Sequence, residues 1–365
     1  MKQISVLIKP ASSLCNLRCR YCFYADVSQK REISSQGIMS EDTAEKLVEC
    51  LAADLEENGI ANISFQGGEP TVAGIGFFRR FAKLTDRLPG LRINWSIQTN
   101  ATLLDEEFAQ FFKERNFLVG VSLDGYQRIH DQNRYDAEKK SVFFRVLKAI
   151  DLLEDHGVEY NILTVVTREL AKHPEALFDF YKNHRFRYIQ LIPCLPELDG
   201  SDPAGLALTP AEYAFFYNTF FDAWQKHLLK GGQMSVNLFE NIAGMILGKA
   251  PYQCGMLGRC TQQFVIEGNG DVYPCDFYCL DEWKLGNVRD SSFEEMRNSA
   301  NGKRFPDTSE CRKEPCTNCR YINVCHGGCR RQNVCWLNDT YCGYQKVLDH
   351  IVPRIADMLA ERIGK

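Results

Sequence analysis

Three cysteines near the start of the chain, Cys15, Cys19 and Cys22, follow the spacing C-x3-C-x2-C. Thiolate ligands favour zinc or iron–sulfur clusters. A closed tetrahedral site needs four ligands, and no fourth cysteine or histidine lies nearby in the sequence. A cubane cluster held by three cysteines keeps one iron open for a substrate or cofactor, which would make the missing ligand functional. A zinc site completed by a distant residue, or three buried thiols, is the alternative.

Cysteine is the compositional outlier of the chain, which contains sixteen of them in 365 residues. Nine of the sixteen lie between Cys275 and Cys342. The N-terminus has only a short apolar run, cut by Lys9 and Pro10. We therefore expect no signal peptide, no membrane anchor and a cytoplasmic location. In a reducing cytoplasm, so many cysteines indicate metal binding rather than disulfides.

The overall composition is that of a globular protein, with 45% hydrophobic and 25% charged residues. This length and hydrophobic content allow a large core and predict more than one domain. The formal net charge of -4 predicts no bulk attraction to nucleic acid or to an anionic membrane surface.

Short β-rich runs alternate with longer amphipathic stretches up to about residue 230. The predicted strands are 4–9, 62–66, 93–98, 117–123, 160–167 and 188–193. The predicted helices are 40–58, which Ser40 could cap, and segments near 75–88, 104–115, 138–155, 174–183 and 209–230. Six strand–helix units in alternation predict a parallel α/β sheet, closed or partly closed.

Sequence motifs follow four of these strands directly. Cys15 follows the first strand, GGEP (67–70) the second and QTNAT (98–102) the third, and SLDG (122–125) ends the fourth. In parallel α/β sheets the chemistry lies at the carboxyl ends of the strands. The motifs should therefore share one rim of the sheet.

The composition of the sequence changes after residue 230, where the hydrophobic periodicity becomes weaker and glycine and cysteine become more frequent. We predict a first domain at 1–231 and a second at 232–365. The second domain should close with an amphipathic helix, in which Pro353 lies near the start or produces a kink.

The motif formed by Cys15, Cys19, Tyr21 and Cys22 resembles that of the radical S-adenosylmethionine (SAM) enzymes. GGEP resembles the segment of that family that receives the SAM amino group. The resemblance implies a partial (β/α)6 barrel and a [4Fe–4S] cluster whose open iron binds SAM. It also implies cleavage of SAM to a 5′-deoxyadenosyl radical, which abstracts a hydrogen atom from the substrate.

The C-terminal cysteines form two groups, a C-x5-C pair at Cys254 and Cys260 and a C-x2-C-x5-C-x3-C run at 316–329. A zinc ribbon would explain one C-x2-C pair but not eight ligands. The pattern resembles the SPASM extension of radical SAM enzymes that modify peptides, which implies two auxiliary [4Fe–4S] clusters. By that resemblance the ligand sets are Cys254, Cys260, Cys275 and Cys329 for one cluster, and Cys316, Cys319, Cys325 and Cys342 for the other.

Five cysteines remain outside the three ligand sets: Cys50, Cys194, Cys279, Cys311 and Cys335. We interpret them as small buried hydrophobes or incidental thiols. Cys279 and Cys335 lie close enough in sequence to the ligands that an exchanged assignment stays open.

The stretches KPASSLCNLRCRYCFY, FQGGEPT, IQTN, YPCDFYCLDEWKLGN and CHGGCRR resemble the anaerobic sulfatase-maturating enzymes over nearly the whole chain. The resemblance implies oxidation of a cysteine or serine in a sulfatase motif, roughly C/S-x-P/A-x-R, to Cα-formylglycine without dioxygen. The implied partners are an unfolded or nascent sulfatase polypeptide and an electron donor such as a flavodoxin or ferredoxin.

This oxidation removes two electrons and two protons from the target side chain, so it needs a base as well as an electron acceptor. Asp276, beside Cys275, matches the proton acceptor proposed in the family. A turn-capping role is the alternative, and Asp281 is a weaker candidate. The SAM contacts implied by the resemblance are Tyr21, Gly68, Ser122, Arg134 and Leu195; from the residue types alone, Arg134 would be a surface charge and Leu195 a core residue. Tyr24 and Gln66 could touch substrate from the same rim.

Two other functions fit parts of the pattern. A SPASM maturase that forms thioether or carbon–carbon links in a ribosomal peptide would share the cysteines. Such enzymes often carry an N-terminal recognition domain, whereas the first cluster cysteine here is residue 15. A non-catalytic iron–sulfur carrier or sensor would not need GGEP.

Overall fold

The computed structural model describes residues 1–88, 90–307 and 313–363, with the backbone alone for residues 361–363. Its ten strands are β1 (Gln3–Ile8), β2 (Ile60–Phe65), β3 (Arg92–Thr99), β4 (Leu118–Ser122), β5 (Glu159–Val166), β6 (Tyr188–Pro193), β7 (Ser235–Val236), β8 (Val265–Ile266), β9 (Asp271–Tyr273) and β10 (Gly286–Asn287). All six strands that the sequence pattern predicts are present, and their bounds differ from the prediction by at most two residues.

The helices of the described chain are α1 (Phe23–Gln29), α2 (Glu41–Asp54), α3 (Gly74–Thr85), α4 (Glu106–Glu114), α5 (Gln127–Asn133), α6 (Phe143–Asp155), α7 (Pro174–Asn183), α8 (Pro210–Leu229), α9 (Asn237–Ile246), α10 (Phe293–Asn298), α11 (Ala300–Asp307), α12 (Ile322–Cys325) and α13 (Gly343–Ile363). Ser40 caps α2 as expected, because its hydroxyl accepts the Thr43 N–H at 3.1 Å. Pro353 lies inside α13 rather than at its start. The short helices α1 and α5 were not predicted, since seven residues show no clear periodicity.

The chain divides into two compact units. The first comprises Met1–Ser122, Asp131–Tyr160 and Thr261–Pro306, and the second Leu123–His130, Asn161–Cys260 and Asp307–Lys365. Each unit therefore draws on separate stretches of the sequence. The predicted domain boundary between residues 231 and 232 stays a prediction.

In the first unit the strands follow the order β10-β9-β8-β1-β2-β3-β4. Neighbouring strands from β8 to β4 run parallel, and β9 and β10 are antiparallel additions at one edge. In the register, Ile8 pairs with Phe65 and Phe65 with Ile97, so the carboxyl ends of β1, β2 and β3 lie level. This arrangement confirms the predicted parallel α/β architecture and brings the ends of these strands to one rim.

Aromatic packing fixes the first unit beneath that rim. Phe65, the last residue of β2, is 1% exposed and contacts five aromatic rings: Phe77, Phe78, Phe81, Trp95 and Phe117. Burial of such rings contributes strongly to the free energy of unfolding. The residues that follow β2 therefore start from a rigid position.

The second unit holds β5, β6 and β7, which pair in parallel. Helix α8 begins with a capping box, in which the Thr209 hydroxyl accepts the Glu212 N–H and the Glu212 carboxylate accepts the Thr209 N–H. Helices α8 and α13 pack against each other. Among the described residues, no helix combines the length and the apolar character that spanning a bilayer requires.

Candidate active site

The loop that carries Cys15, Cys19 and Cys22 follows β1. The N–H groups of Arg18 and Arg20 donate to the carbonyls of Tyr135 and Asn133, at 2.8 and 3.0 Å. These bonds tie the loop to the segment that follows α5. All three cysteines are half-buried, so their thiols are neither lost in the core nor freely solvated.

Burial raises the pKa of the Cys15 thiol to about 11, and the nearby charges of Glu69 and Cys22 add to the rise. The Leu17 N–H donates to its sulfur at 3.4 Å. A thiol of this kind is protonated at neutral pH and becomes a thiolate when a metal displaces the proton. The three side chains thus suit a metal cluster better than a free nucleophile.

GGEP packs its backbone directly onto the cysteine loop. The Gly68 N–H donates to the Ser12 carbonyl and the Glu69 N–H to the Leu14 carbonyl, both at 2.8 Å. A Cβ at Gly68 would stand 2.2 Å from the Leu14 carbonyl oxygen, which is an impossible contact. Glycine is therefore required at position 68 because its backbone lies against the backbone of the cysteine loop.

The carboxylate of Glu69 is 1% exposed and joins the ends of β2 and β3. It accepts the Thr99 hydroxyl and the Asn100 N–H, each at 2.7 Å. It also accepts the N–H and hydroxyl of Thr71, at 3.1 and 2.6 Å. Burial raises the pKa of Glu69, although these four donors oppose the rise. This hydrogen-bond network, rather than contact with solvent, fixes the rim.

Three candidate SAM contacts of the first unit, Tyr21, Arg134 and Ser122, form side-chain hydrogen bonds. The Arg134 guanidinium donates to the Tyr21 hydroxyl at 2.9 Å, and Arg134 is buried, unlike the surface charge its residue type suggests. The Gln98 amide donates to the Ser122 hydroxyl at 2.9 Å at the ends of β3 and β4. Leu195 is half-buried and follows β6 in the second unit.

Asp276 lies in a short turn directly after Cys275 and is 8% exposed. Its Oδ1 faces the ammonium of Lys9 at 2.5 Å, and its Oδ2 accepts the Gln66 amide at 3.0 Å. Lys9 follows β1 and Gln66 follows β2, so the carboxylate lies at the rim. Asp281 differs, because it is exposed and accepts the Glu32 N–H at 2.8 Å, a contact typical of a structural role.

A buried cluster of charged groups adjoins this carboxylate, and the sequence analysis missed most of it. The Lys9 ammonium lies 3.2 Å from the centre of the Tyr24 ring. The Tyr24 hydroxyl donates to Glu267, which also accepts from Arg31 and from the Ser12 hydroxyl, each at 2.8 Å. One signal was available, since Lys9 and Glu267 both come directly after buried strands.

Each charged group in the cluster shifts the pKa of its neighbours so that the charged forms are favoured. Burial lowers the pKa of Lys9, but the charges of Asp276, Cys279, Tyr24 and Glu267 together raise it by more, so its pKa lies well above the ordinary value. Burial raises the pKa of Glu267, but the charges of Lys9 and Arg31 and the hydrogen bonds from Tyr24 and Ser12 together lower it by more. At neutral pH the lysine is therefore protonated and the glutamate ionised.

The second unit gathers four thiols of one predicted ligand set. Burial raises the pKa of Cys325 to about 11, and the charges of Cys319, Cys342 and Cys316 raise it further. These charge effects on Cys325 indicate that the other three thiols lie near it. In the same unit, the charge of Cys254 raises the pKa of Cys329, which burial has already raised.

Four of the five remaining cysteines lie in the described chain. Cys279 is fully buried in a core cluster with Tyr24 and Val265. The Cys335 thiol donates to the Cys194 carbonyl at 3.3 Å, and both residues are buried. Cys50 is half-buried, and Cys311 lies outside the described residues.

No disulfide joins the described cysteines, and no three His, Cys, Asp or Glu side chains among these residues are arranged to hold a single metal ion. The thiolates of a cubane cluster stand farther apart than the ligands of one ion. The donor sets, three thiols beside an open rim and four thiols in the second unit, are those that iron–sulfur clusters use.

Comparison with known proteins identifies two matched regions. The sequence model of the radical SAM superfamily matches residues 10–181, and that of an iron–sulfur cluster-binding domain named SPASM matches residues 254–320. The chain is 45% identical to a cysteine-type anaerobic sulfatase-maturating enzyme of Clostridium novyi, over 91% of this chain and 89% of the relative. It is 31% identical to a serine-type enzyme of Bacteroides thetaiotaomicron, over 100% of this chain and 93% of the relative.

A solved structure also matches over nearly the full length. It is native anSMEcpe with bound AdoMet and Cp18Cys peptide, to which this chain is 37% identical with a TM-score of 0.90. The match covers 99% of both chains.

We predict that Gly68→Ala disrupts the cysteine loop. The added Cβ collides with backbone atoms that cannot move without breaking two hydrogen bonds, and a forced contact of this kind costs about 1–3 kcal/mol. Thermal unfolding should occur at a lower temperature, and the protein should bind less iron after anaerobic reconstitution.

The matched control is Gly76→Ala in α3, where the nearest neighbour of a new Cβ is the mobile end of Arg80 at 3.2 Å. Alanine also favours the helix, so this variant should keep native stability and iron content. Equal behaviour of the two variants would contradict the packing argument.

Proposed function

We propose that this chain, which belongs to the anaerobic sulfatase-maturating enzymes, oxidises the target cysteine of a sulfatase polypeptide to Cα-formylglycine without dioxygen. The relatives, the matched sequence models and the solved structure confirm the family and the enzyme class that the sequence predicts. They also confirm the predicted fold, a radical SAM α/β fold with a C-terminal iron–sulfur domain. SAM and [4Fe–4S] clusters are the cofactors of this fold.

The preference for cysteine over serine rests on the relatives. The cysteine-type enzyme of Clostridium novyi is 45% identical, whereas the serine-type enzyme of Bacteroides thetaiotaomicron is 31% identical. The solved structure that matches over nearly the full length carries a peptide named for cysteine. The target should lie in a motif of the form C-x-P/A-x-R.

The three-cysteine loop supplies the ligands of the SAM-binding cluster, Cys15, Cys19 and Cys22. Tyr21, Gly68, Ser122, Arg134 and Leu195 are the proposed SAM contacts. When bound, this cluster and SAM supply the 5′-deoxyadenosyl radical that takes a hydrogen atom from the target Cβ. The Arg134–Tyr21 hydrogen bond and the buried Glu69 network hold this part of the rim without help from solvent.

The auxiliary clusters are assigned the ligand sets that the family resemblance gives. One set is Cys316, Cys319, Cys325 and Cys342, in which the charges of the other three raise the pKa of Cys325. The other is Cys254, Cys260, Cys275 and Cys329. When bound, these clusters supply a route for the second electron.

The proton chemistry belongs to the chain's own residues. Oxidation of CH2–SH to a thioaldehyde removes one hydrogen atom from Cβ, one proton from sulfur and one electron. Hydrolysis of the thioaldehyde then yields the aldehyde and hydrogen sulfide. The Asp276 carboxylate accepts the sulfur proton, and its nearly complete burial keeps water from competing for that role. The single observation that carries this assignment is the clamped carboxylate beside Cys275.

The remaining partner and the location are inferred from the chemistry. A cluster that cleaves SAM must be reduced, so we assign an electron donor of flavodoxin or ferredoxin type. An unfolded or nascent sulfatase and a reducing supply of electrons both fit the cytoplasm. Neither assignment involves nucleic acid or a membrane surface.

The metal content tests the ligand sets. Eleven cysteines that hold three [4Fe–4S] clusters should bind about twelve irons after anaerobic reconstitution. Replacing Cys15, Cys19 and Cys22 together by Ala should leave about eight, and Cys50→Ala should leave the full number. A wild-type content near four irons would contradict the two auxiliary clusters.

The substrate assignment predicts the fate of a peptide that contains C-x-P-x-R. Its mass should fall by about two units, because the step removes two hydrogens, and a hydrazide should then trap the aldehyde. The same peptide with serine as target should react more slowly. Loss of mass through a thioether crosslink, with no trapped aldehyde, would instead identify a ribosomal-peptide maturase.

Asp276→Asn isolates the proton step. Asparagine keeps the size of the side chain but is not a useful base, so formylglycine yield should fall ~10²-fold or more. Hydrogen abstraction precedes proton loss, so 5′-deoxyadenosine should still form, and its ratio to product should rise well above the wild-type ratio. Asp281→Asn is the control and should keep that ratio. A wild-type ratio and rate in Asp276→Asn would show that another group is the base.

A further inference from the structure

Lys9 is an unusual residue for the interior of a protein. Its side chain is 0% exposed at the end of β1, and lysine is almost never fully buried unless it is paired. Its ammonium lies 2.5 Å from Oδ1 of Asp276. The main stabilising partner of this buried charge is therefore the carboxylate assigned as the base.

A second group holds the other oxygen of the same carboxylate. The Gln66 amide donates to Oδ2 of Asp276 at 3.0 Å. An ionised carboxylate has about four acceptor positions on its two oxygens, so Lys9 and Gln66 fix its plane while leaving acceptor positions open. The carboxylate is thus oriented before any substrate arrives.

Lys9 is itself held in place from the opposite side. The Tyr24 ring lies beneath its ammonium, with the centre 3.2 Å away, and the Tyr24 hydroxyl is bonded to Glu267. Arg31 neutralises Glu267 at 2.8 Å. Two cations, Lys9 and Arg31, therefore balance two carboxylates, and the cluster has no net charge to pull the lysine elsewhere.

Stability alone does not explain this arrangement. A buried ion pair often stabilises a fold less than apolar side chains of the same volume would. A methionine at position 9 would be an apolar side chain of similar volume beside Ile8, which is also buried. The charge at this position requires another explanation.

We propose that Lys9 is a positioning residue for the oxidation, which orients the Asp276 carboxylate so that it accepts the proton of the target side chain. The inference rests on the proposed function of Asp276 and extends it to the residue that directly follows β1. Lys9 acts through Asp276 and not by contact with the reacting atoms. A misplacement of about 1 Å in a catalytic group is enough to cost about 10²-fold in rate.

The test is Lys9→Met, which nearly conserves volume and removes the charge. With the cysteine peptide, formylglycine formed per 5′-deoxyadenosine should fall about 10-fold to 10²-fold, while SAM cleavage persists. A purely structural defect would instead lower deoxyadenosine and formylglycine together and leave their ratio unchanged.

Arg31→Met is the matched control. It also removes a buried cation from the cluster, but Arg31 pairs with Glu267 rather than with Asp276. Its ratio of product to deoxyadenosine should fall less than that of Lys9→Met, because Lys9 keeps its contact with Asp276. A fall equal to that of Lys9→Met would assign the effect to general loss of charge balance and overturn the proposal.

The double variant Lys9→Met/Asp276→Asn shows whether Lys9 acts through Asp276. If it does, the double variant should lose no more product than Asp276→Asn alone, because the two residues form one unit. A further loss of tenfold or more, equal to the effect of Lys9→Met alone, would contradict the proposal.

Two outcomes separate this inference from the proposed function. If Asp276→Asn uncouples product from deoxyadenosine but Lys9→Met does not, the role of Lys9 is wrong and the base assignment stands. If Asp276→Asn keeps the wild-type ratio, the base assignment itself is wrong. Should Lys9→Met fail to fold, Lys9→Gln takes its place, because glutamine removes the charge but keeps a hydrogen-bond donor. The ratio of formylglycine to 5′-deoxyadenosine should again fall, and a wild-type ratio would contradict the role of Lys9.

Discussion

The rim of the first unit depends on the contact between GGEP and the cysteine loop. Two backbone hydrogen bonds, from Gly68 and Glu69 to the carbonyls of Ser12 and Leu14, join the end of β2 to the residues after β1. The Glu69 side chain extends the same junction to Thr99 and Asn100 after β3. Because a side chain at Gly68 would collide with this backbone, glycine is required by the fold before any ligand is considered. The loop that carries the cysteines is thereby attached to a rigid part of the backbone.

The buried cluster around Lys9 is stabilised differently, by pairing of its charges. Lys9, Glu267, Arg31 and Asp276 are all nearly excluded from water, so each charge needs a partner close at hand. Their pairing makes the group rigid, since moving one charge would leave another uncompensated. The region therefore combines an ionised carboxylate with little solvent, a combination that suits proton transfer from a reactive substrate radical.

Local patterns in the sequence predicted the six longer strands and the long helices, because each has a clear period or capping residue, but not the two- and three-residue strands β7 to β10. Ser40 and the six strands of the α/β sheet are examples. The cluster around Lys9 could not be predicted, since it joins residues more than 200 positions apart, such as Lys9 with Asp276 and Arg31 with Glu267. Arg134 shows the same limit, because it is buried and donates to the Tyr21 hydroxyl, which is far away in the sequence. Spacing suggests metal ligands, but it does not reveal which charges meet in the interior.

The position of Asp276 next to Cys275 has a physical consequence for the reaction. Loss of a proton and loss of an electron from the same substrate radical are favourable together and costly apart, because either one alone creates a charge in a medium of low polarity. Under the proposed function, a base on the residue beside a proposed cluster ligand would remove the proton close to the place where the electron departs. Lys9 and Gln66 hold the two oxygens of that carboxylate. The proposed base and the proposed ligand Cys275 are then coupled by covalent adjacency and by a carboxylate of fixed orientation.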